Sequence, residues 1–221
     1  MKHYALIVAG GSGLRMGADT PKQFLVLDEK PILMHTLERF AQCKPLPEIL
    51  LVLPESAFET WRSLLVQYTF DVPHLLVAGG DTRIESVRNG LQMISNKKSL
   101  VAIHDGVRPF VTPKIIEESF AVAKQKGSAI TCIPLKDSIR LVEENGTKAL
   151  DRQQYRLVQT PQTFATQQIL QAYQTPNIEH LTDDASVWEA SGRQVTLMLG
   201  SYENIKITTP EDMKIANALL E

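Results

Sequence analysis

Tyr4-Ala5-Leu6-Ile7-Val8-Ala9-Gly10-Gly11-Ser12-Gly13-Leu14-Arg15-Met16-Gly17 passes from an apolar run into a loop with almost no side chains. The run has the length and branched composition of a buried strand, so the loop is expected at a strand's carboxyl end. Glycine lets backbone N–H groups turn toward a ligand and lets phosphate oxygens approach the main chain without meeting a Cβ. Arg15, and Lys22 in Pro21-Lys22-Gln23, add the full charges that glycine cannot supply. A polyanion is the expected guest. Two other phosphate loops are excluded by spacing. No Gly-x-x-x-x-Gly-Lys-Ser/Thr string occurs, and a dinucleotide fingerprint would need Gly or Ala where Met16 stands. The next strand, Ile49 to Pro54, also lacks a terminal acidic residue, so a nicotinamide oxidoreductase fits poorly. A glycine-rich turn that merely links two elements remains the plain alternative, weakened by the two cations.

Beyond this loop, strand and helix patterns alternate through the first 134 residues. Lys30-Pro31 places proline at a first helical position, followed by Ile32, Leu33, Thr36, Leu37 and Phe40 on one stripe. Ser56-x-x-Glu59 and Thr82-x-x-Glu85 read as capping boxes, and Thr112-Pro113 opens another helix. Short apolar strands are expected at Ile49 to Leu53, Leu75 to Val77, Leu100 to His104 and Ala129 to Pro134. Residues 137–159 break the alternation, and Asn145-Gly146 between apolar runs signals a hairpin. That hairpin either projects as an arm or folds back on its own domain. Helices near Thr166 to Tyr173 and Asp183 to Ala190, a strand at Val195 to Leu199 and a helix opened by Thr209-Pro210 complete the chain. The expected fold is α/β, a doubly wound, mostly parallel sheet in a single domain over residues 1–221, with a β-arm inserted at about 137–159.

Ordinary composition, with 43 % apolar and 22 % charged residues and a net charge of −2, argues against a general nucleic-acid binder. Cys43 and Cys132 form no Cys-x-x-Cys pair and the five histidines lack ligand spacing, so neither zinc nor a disulfide framework is indicated. Both cysteines read as core residues in a reducing compartment. No run approaches the roughly 18 apolar residues that span a bilayer, nor a signal-peptide core, and cytoplasmic location is expected.

In an open α/β sheet, ligands bind beyond the carboxyl ends of the strands. Three loops there carry chemistry: the first, then Gly79-Gly80-Asp81-Thr82-Arg83-Ile84-Glu85-Ser86, then His104-Asp105-Gly106-Val107-Arg108-Pro109. Asp105 suits Mg²⁺ riding on phosphates, since that ion takes few protein carboxylates. Asp81 and Ser86 read equally as helix caps and as groups recognising ribose or a base edge. His104 reads as a core histidine rather than a base. Arg83 and Arg108 lie beside the expected crevice, whereas pattern alone does not separate Arg152 and Lys206 from solvated surface cations. Phosphoryl and nucleotidyl transfer ask mainly for alignment and charge neutralisation, so cations without a catalytic base suffice.

These loops, with Lys136-Asp137-Ser138, Asp151-Arg152, Thr160-Pro161-Gln162, Thr182-Asp183-Asp184-Ala185-Ser186 and Asn204-Ile205-Lys206-Ile207-Thr208, resemble the 2-C-methyl-D-erythritol 4-phosphate cytidylyltransferases over nearly the whole chain. The resemblance implies a Rossmann-like nucleotidyltransferase that joins CTP and methylerythritol phosphate, giving CDP-methylerythritol and pyrophosphate, with Mg²⁺ as cofactor. It implies that Arg15, Lys22 and Lys206 stabilise charge around the α-phosphorus. The backbone of Ala9, Gly10, Gly11 and Gly80, with Asp81, Arg83 and Ser86, would hold the nucleotide. Asp105 would touch metal and substrate, and Arg108, Ser138, Arg152 and Thr160 would cradle the polyol phosphate. Ser138 and Arg152 would reach the site across a homodimer interface formed by the arm, with no nucleic acid or membrane partner. Val8 replaces the family's frequent proline, Leu14 a second arginine and Ser138 the usual threonine; no needed cation or hydroxyl is lost. Ribitol 5-phosphate cytidylyltransferase is the nearest rival, and a non-catalytic nucleotide-binding protein the rival from another class.

Overall fold

Alternation of side chains between two buried faces along the first strand sets the layers. The computed structural model describes residues 1–11 and 20–220, so Arg15, Gly13 and Leu14 lie outside the described residues. In β1 (Lys2–Val8), Ala5 and Ile7 face one core while Tyr4 and Leu6 face another. Such alternation with both faces buried requires helices on each side. The first core takes α1 (Ile32–Ala41), α2 (Phe58–Gln67) and α4 (Pro113–Lys126). The second takes α3 (Arg83–Gln92), α5 (Thr166–Ala172) and α6 (Asp184–Ala190). A small third cluster joins Leu27 and Ile32 to Val107, Phe110 and Ile207, and reaches Ala216 on α7 (Pro210–Ala218).

The remaining strands of the main sheet are β4 (Glu48–Leu53), β5 (Leu75–Ala78), β6 (Ser99–Asp105), β7 (Ser128–Pro134), β10 (Arg156–Ala165) and β11 (Leu197–Leu199). Their order is β11-β7-β10-β6-β1-β4-β5, and β10 alone runs against the others. The doubly wound, mostly parallel sheet expected from sequence is therefore what forms. Two small ribbons lie outside it: β2 (Val26–Leu27) with β3 (Lys30–Pro31), and β8 (Ile139–Glu143) with β9 (Gly146–Leu150). The β8–β9 hairpin pairs with itself, and its side chains, Leu141 and Val142 among them, are mostly exposed. It projects rather than folding back.

Three local expectations need correction. The arm does not extend to residue 159, because Arg156, Leu157 and Val158 pair with Pro134, Ile133 and Cys132 inside the main sheet. Proline in a central strand usually argues against one. Here a register shift between Val158 and Gln162 accommodates Pro161, whose carbonyl accepts from Thr131 Oγ1 at 2.7 Å. The Ser56 capping box is absent: Glu55–Ala57 forms a 3-10 turn, so Ala57, with helical backbone, precedes α2. Pro31 stands one residue before α1 rather than within it. The caps at Thr82, Thr112 and Thr209 form as read, each side chain accepting from the N3 backbone.

Candidate active site

Parallel pairing brings the strand ends together. Val8 lies between Val52 and Asp105, and Leu53 beside Ala78, so the loops after β1, β4, β5 and β6 leave one edge of the sheet. Ala9 N–H continues the ladder to Val52 O at 3.0 Å, and Gly106 N–H reaches Val8 O at 2.9 Å. A Cβ on Gly106 would lie 2.7 Å from Ala9 Cβ and 3.0 Å from Leu33 Cδ1, so this crossing of two loops needs glycine. Because β10 runs the other way, its early residues, Gln159 and Thr160, arrive at the same edge.

Asp105 is the centre of charge. Its Oδ2 lies 3.1 Å from both Arg108 Nε and Lys206 Nζ, while Oδ1 faces Arg83 Nε at 4.0 Å. Burial would push its carboxyl upward, but Lys206, Arg108 and Arg83 outweigh that and hold it well below the ordinary carboxylate range. Below it, Thr160 Oγ1 accepts from Asp105 N–H at 3.1 Å and lies 3.0 Å from His104 Nδ1. The other ring nitrogen, His104 Nε2, lies 3.2 Å from the carbonyl of Arg108. One neutral tautomer satisfies every partner: Nε2 donates to the carbonyl and Nδ1 accepts from the threonine hydroxyl. Burial lowers His104 to about 4, so it is the core histidine expected. Thr160 thus supports Asp105 from beneath, its hydroxyl already engaged.

Arg83 makes a two-pronged contact with Asp184, Nη1 to Oδ1 at 3.1 Å and Nη2 to Oδ2 at 2.6 Å, and Tyr173 O–H donates to Oδ1 at 2.5 Å. Asp184 is fully buried. Although burial disfavours the guanidinium cation, Asp184 and Asp105 raise Arg83 above its ordinary value.

Two clefts share Arg83, Asp105 and Lys206 as a common wall. The first is lined by Ala9, Gly10, Gly11, Lys22, Gly80, Asp81 and Ser86. Lys22 crosses Gly11 so closely that a Cβ there would be 2.8 Å from Lys22 Cε. Ser86 is buried, accepting from Gly80 N–H at 3.1 Å and donating to Gly80 O at 3.3 Å, so it shapes the loop. Thr82, and not Asp81, is the helix cap; Asp81 is exposed on the wall. The second cleft is lined by Arg108, Thr160, Gln159, Gln162, Thr182 and Asp183. Ser138 and Arg152 are exposed and line neither cleft of this single chain; Arg152 Nη1 donates to Lys136 O at the base of the arm.

Sequence reading missed four residues that hold this arrangement. Asp184 and Tyr173 fix Arg83, while Gln159 on β10 and Asn204 join that strand to the segment bearing Lys206. Asp184 and Asn204 lie inside motifs that carry the family resemblance, where only Lys206 was read as functional. Tyr173 carried no signal beyond an apolar helix end.

Among the described residues no helix is long and apolar enough to cross a membrane, and no group of three or more His, Cys, Asp or Glu gathers around a possible metal position. Residues 3–221 match the family model described as 2-C-methyl-D-erythritol 4-phosphate cytidylyltransferase. The enzyme of that name from Porphyromonas gingivalis is 51 % identical over 220 residues, covering 99 % of this chain and 98 % of that protein. The Bacteroides thetaiotaomicron enzyme is 46 % identical over the full length of both. Among solved structures, the 4-diphosphocytidyl-2C-methyl-D-erythritol synthase of Anaerococcus prevotii is similar with a TM-score of 0.86 at 30 % identity, covering 99 % of this chain and 96 % of that one. The 2-C-methyl-D-erythritol 4-phosphate cytidylyltransferase of Thermus thermophilus gives 0.79 at 30 %, covering 99 % and 98 %.

Proposed function

The chain belongs to the 2-C-methyl-D-erythritol 4-phosphate cytidylyltransferase family, and from that premise we propose how its two clefts join CTP to 2-C-methyl-D-erythritol 4-phosphate, giving CDP-methylerythritol and pyrophosphate. The observation that carries the reading is the shared wall: Arg83, Asp105 and Lys206 border both clefts. A triphosphate in the first cleft and a phosphate in the second meet there. An oxygen of the polyol phosphate attacks the α-phosphorus in line, and the bond to the β-phosphate oxygen breaks as pyrophosphate leaves.

Lys22 and Lys206 border the space where negative charge accumulates on the transferred group, and Arg15 belongs to the same loop by sequence. Preorganised cations at that point stabilise the transition state without a proton acceptor. Asp105, held ionised, keeps the Lys206 ammonium and the Arg108 guanidinium in place between turnovers. Among the described residues its Oδ1, 4.0 Å from Arg83 Nε, is the less engaged oxygen. One carboxylate oxygen fits Mg²⁺, which is held mainly by phosphates and water. When bound, Mg²⁺ would neutralise triphosphate charge beside Asp105.

The chain works as a homodimer whose arms carry Ser138 and Arg152 to the second cleft of the other copy. Support comes from the projecting hairpin, its exposed Leu141 and Val142, and the neighbouring exposed Leu157 and Val158. A cytoplasmic reaction is in keeping with two phosphorylated substrates, whose charge keeps them from crossing a membrane unaided.

Incubating the purified chain with CTP, Mg²⁺ and each polyol phosphate while following pyrophosphate tests the reading. Release with methylerythritol phosphate, abolished by a chelator, is expected. Preference for ribitol 5-phosphate would overturn the substrate, and CTP binding without pyrophosphate release would overturn catalysis.

A further inference from the structure

We propose that Asn204, clasped to Gln159, is a positioning residue that fixes Lys206 against Asp105. The inference rests on Lys206 acting on the transferred group, as set out above. Lysine carries a point charge on a flexible four-carbon stem, so its placement depends on what holds its backbone. Residues 200–209, between β11 and α7, belong to no helix or strand. On the far side of Lys206 the segment is anchored by Ile207, which is fully buried and whose N–H donates to Val107 O at 2.9 Å.

The near side depends on Asn204. It is 0 % exposed, and its Nδ2 donates to Thr160 O at 2.8 Å and lies 3.4 Å from Gln159 Oε1. Gln159 returns the contact through Nε2, which donates to Ser201 O at 2.8 Å. Gly200 makes room for this amide pair: a Cβ there would stand 2.3 Å from Gln159 Oε1. The backbone carbonyl of Asn204 accepts from Arg108 Nη1 at 2.9 Å. Asn204 therefore ties the lysine segment to Thr160, which supports Asp105, and to Arg108, which binds Asp105.

The amide orientation is itself informative. Giving both donors to β10 leaves Asn204 Oδ1 buried without a hydrogen-bond partner among the described residues. Such an orphan is costly and persists where the surrounding geometry demands it. Here the demand is registration of the 200–206 segment against the start of β10.

A double-mutant cycle with Lys206→Ala tests the assignment, because residues acting through one another give non-additive losses. Asn204→Ala in the wild-type background should lower kcat about 10- to 100-fold, the scale of an ångström-sized misplacement, with KM for CTP within about threefold. In the Lys206→Ala background it should cost less than about threefold. Gln159→Leu should follow the same pattern with a smaller loss, which keeps the test open if Asn204→Ala folds poorly. Equal losses in both backgrounds, or a lowered melting temperature with unchanged kcat per folded molecule, would overturn the clasp alone. Wild-type turnover in Lys206→Ala would overturn both the clasp and the role of Lys206 beneath it.

Discussion

Lys206→Ala removes one of three cations from around Asp105 but leaves Arg108 and Arg83 beside it, so the carboxylate stays ionised and the fold is retained. What is lost is a charge aimed at the transferred group. Turnover should fall by roughly 10² or more, as should that of Lys22→Ala, both read by steady-state pyrophosphate release. Activity within threefold of wild type would remove either residue from its role. His104 gives a separate, pH-dependent expectation. Its folded value of about 4 lies below the ordinary 6.5, so the unfolded chain binds a proton that the folded one does not between those values. Its stabilising contribution is full above pH 6.5 and lost as pH falls through about 4, at up to about 1.4 kcal/mol per pH unit. Ring ¹⁵N shifts of His104 should report a neutral Nε2–H tautomer until pH nears 4; a midpoint near 6.5 would contradict the buried geometry.

At the scale of elements, loops pressed against one another are less forgiving than the helices they connect. Gly106→Ala would drive a methyl into Ala9 and Leu33, and should lower unfolding free energy by about 1–3 kcal/mol, measured by denaturant titration. A cost below a few tenths of a kcal/mol would mean that the loops can part. The same packing explains what could be read in advance. Apolar strands and Thr caps were legible because burial on two faces and an N-terminal hydrogen-bond deficit leave local signatures. β10 was only partly legible: Gln159, Thr160, Gln162 and Thr163 are polar yet buried, and their partners lie on β6, α4, α6 and the 200–204 segment. Those partners are distant in sequence, so no window reading finds them. Ser56 misled because its spacing was right while the backbone ahead of α2 was already helical. Of the site, Lys22, Asp105 and Arg108 were visible as charges at strand or loop ends and Lys206 only through the family resemblance, whereas the amides and the buried Asp184 that orient them were not.

For the molecule as a whole, the arm makes a prediction that one chain cannot satisfy. If Arg152 serves the other copy, mixing and re-equilibrating Arg152→Ala with Lys206→Ala creates heterodimers with one intact site each. Random exchange should then restore about a quarter of wild-type activity, since half the dimers are mixed and half their sites are whole. Activity no greater than the sum of the two parents would place Arg152 in its own chain's site. The single strand that runs against its neighbours has a further consequence, for synthesis on the ribosome. β6 and β7 emerge long before β10, yet neither has its inner partner until residues 156–165 appear. Nascent chains ending short of that point leave one edge of β6 and both edges of β7 bare, each a template for self-association. Premature termination near residue 150 should therefore give insoluble product, whereas release after residue 165 lets the two halves of the sheet be stitched together.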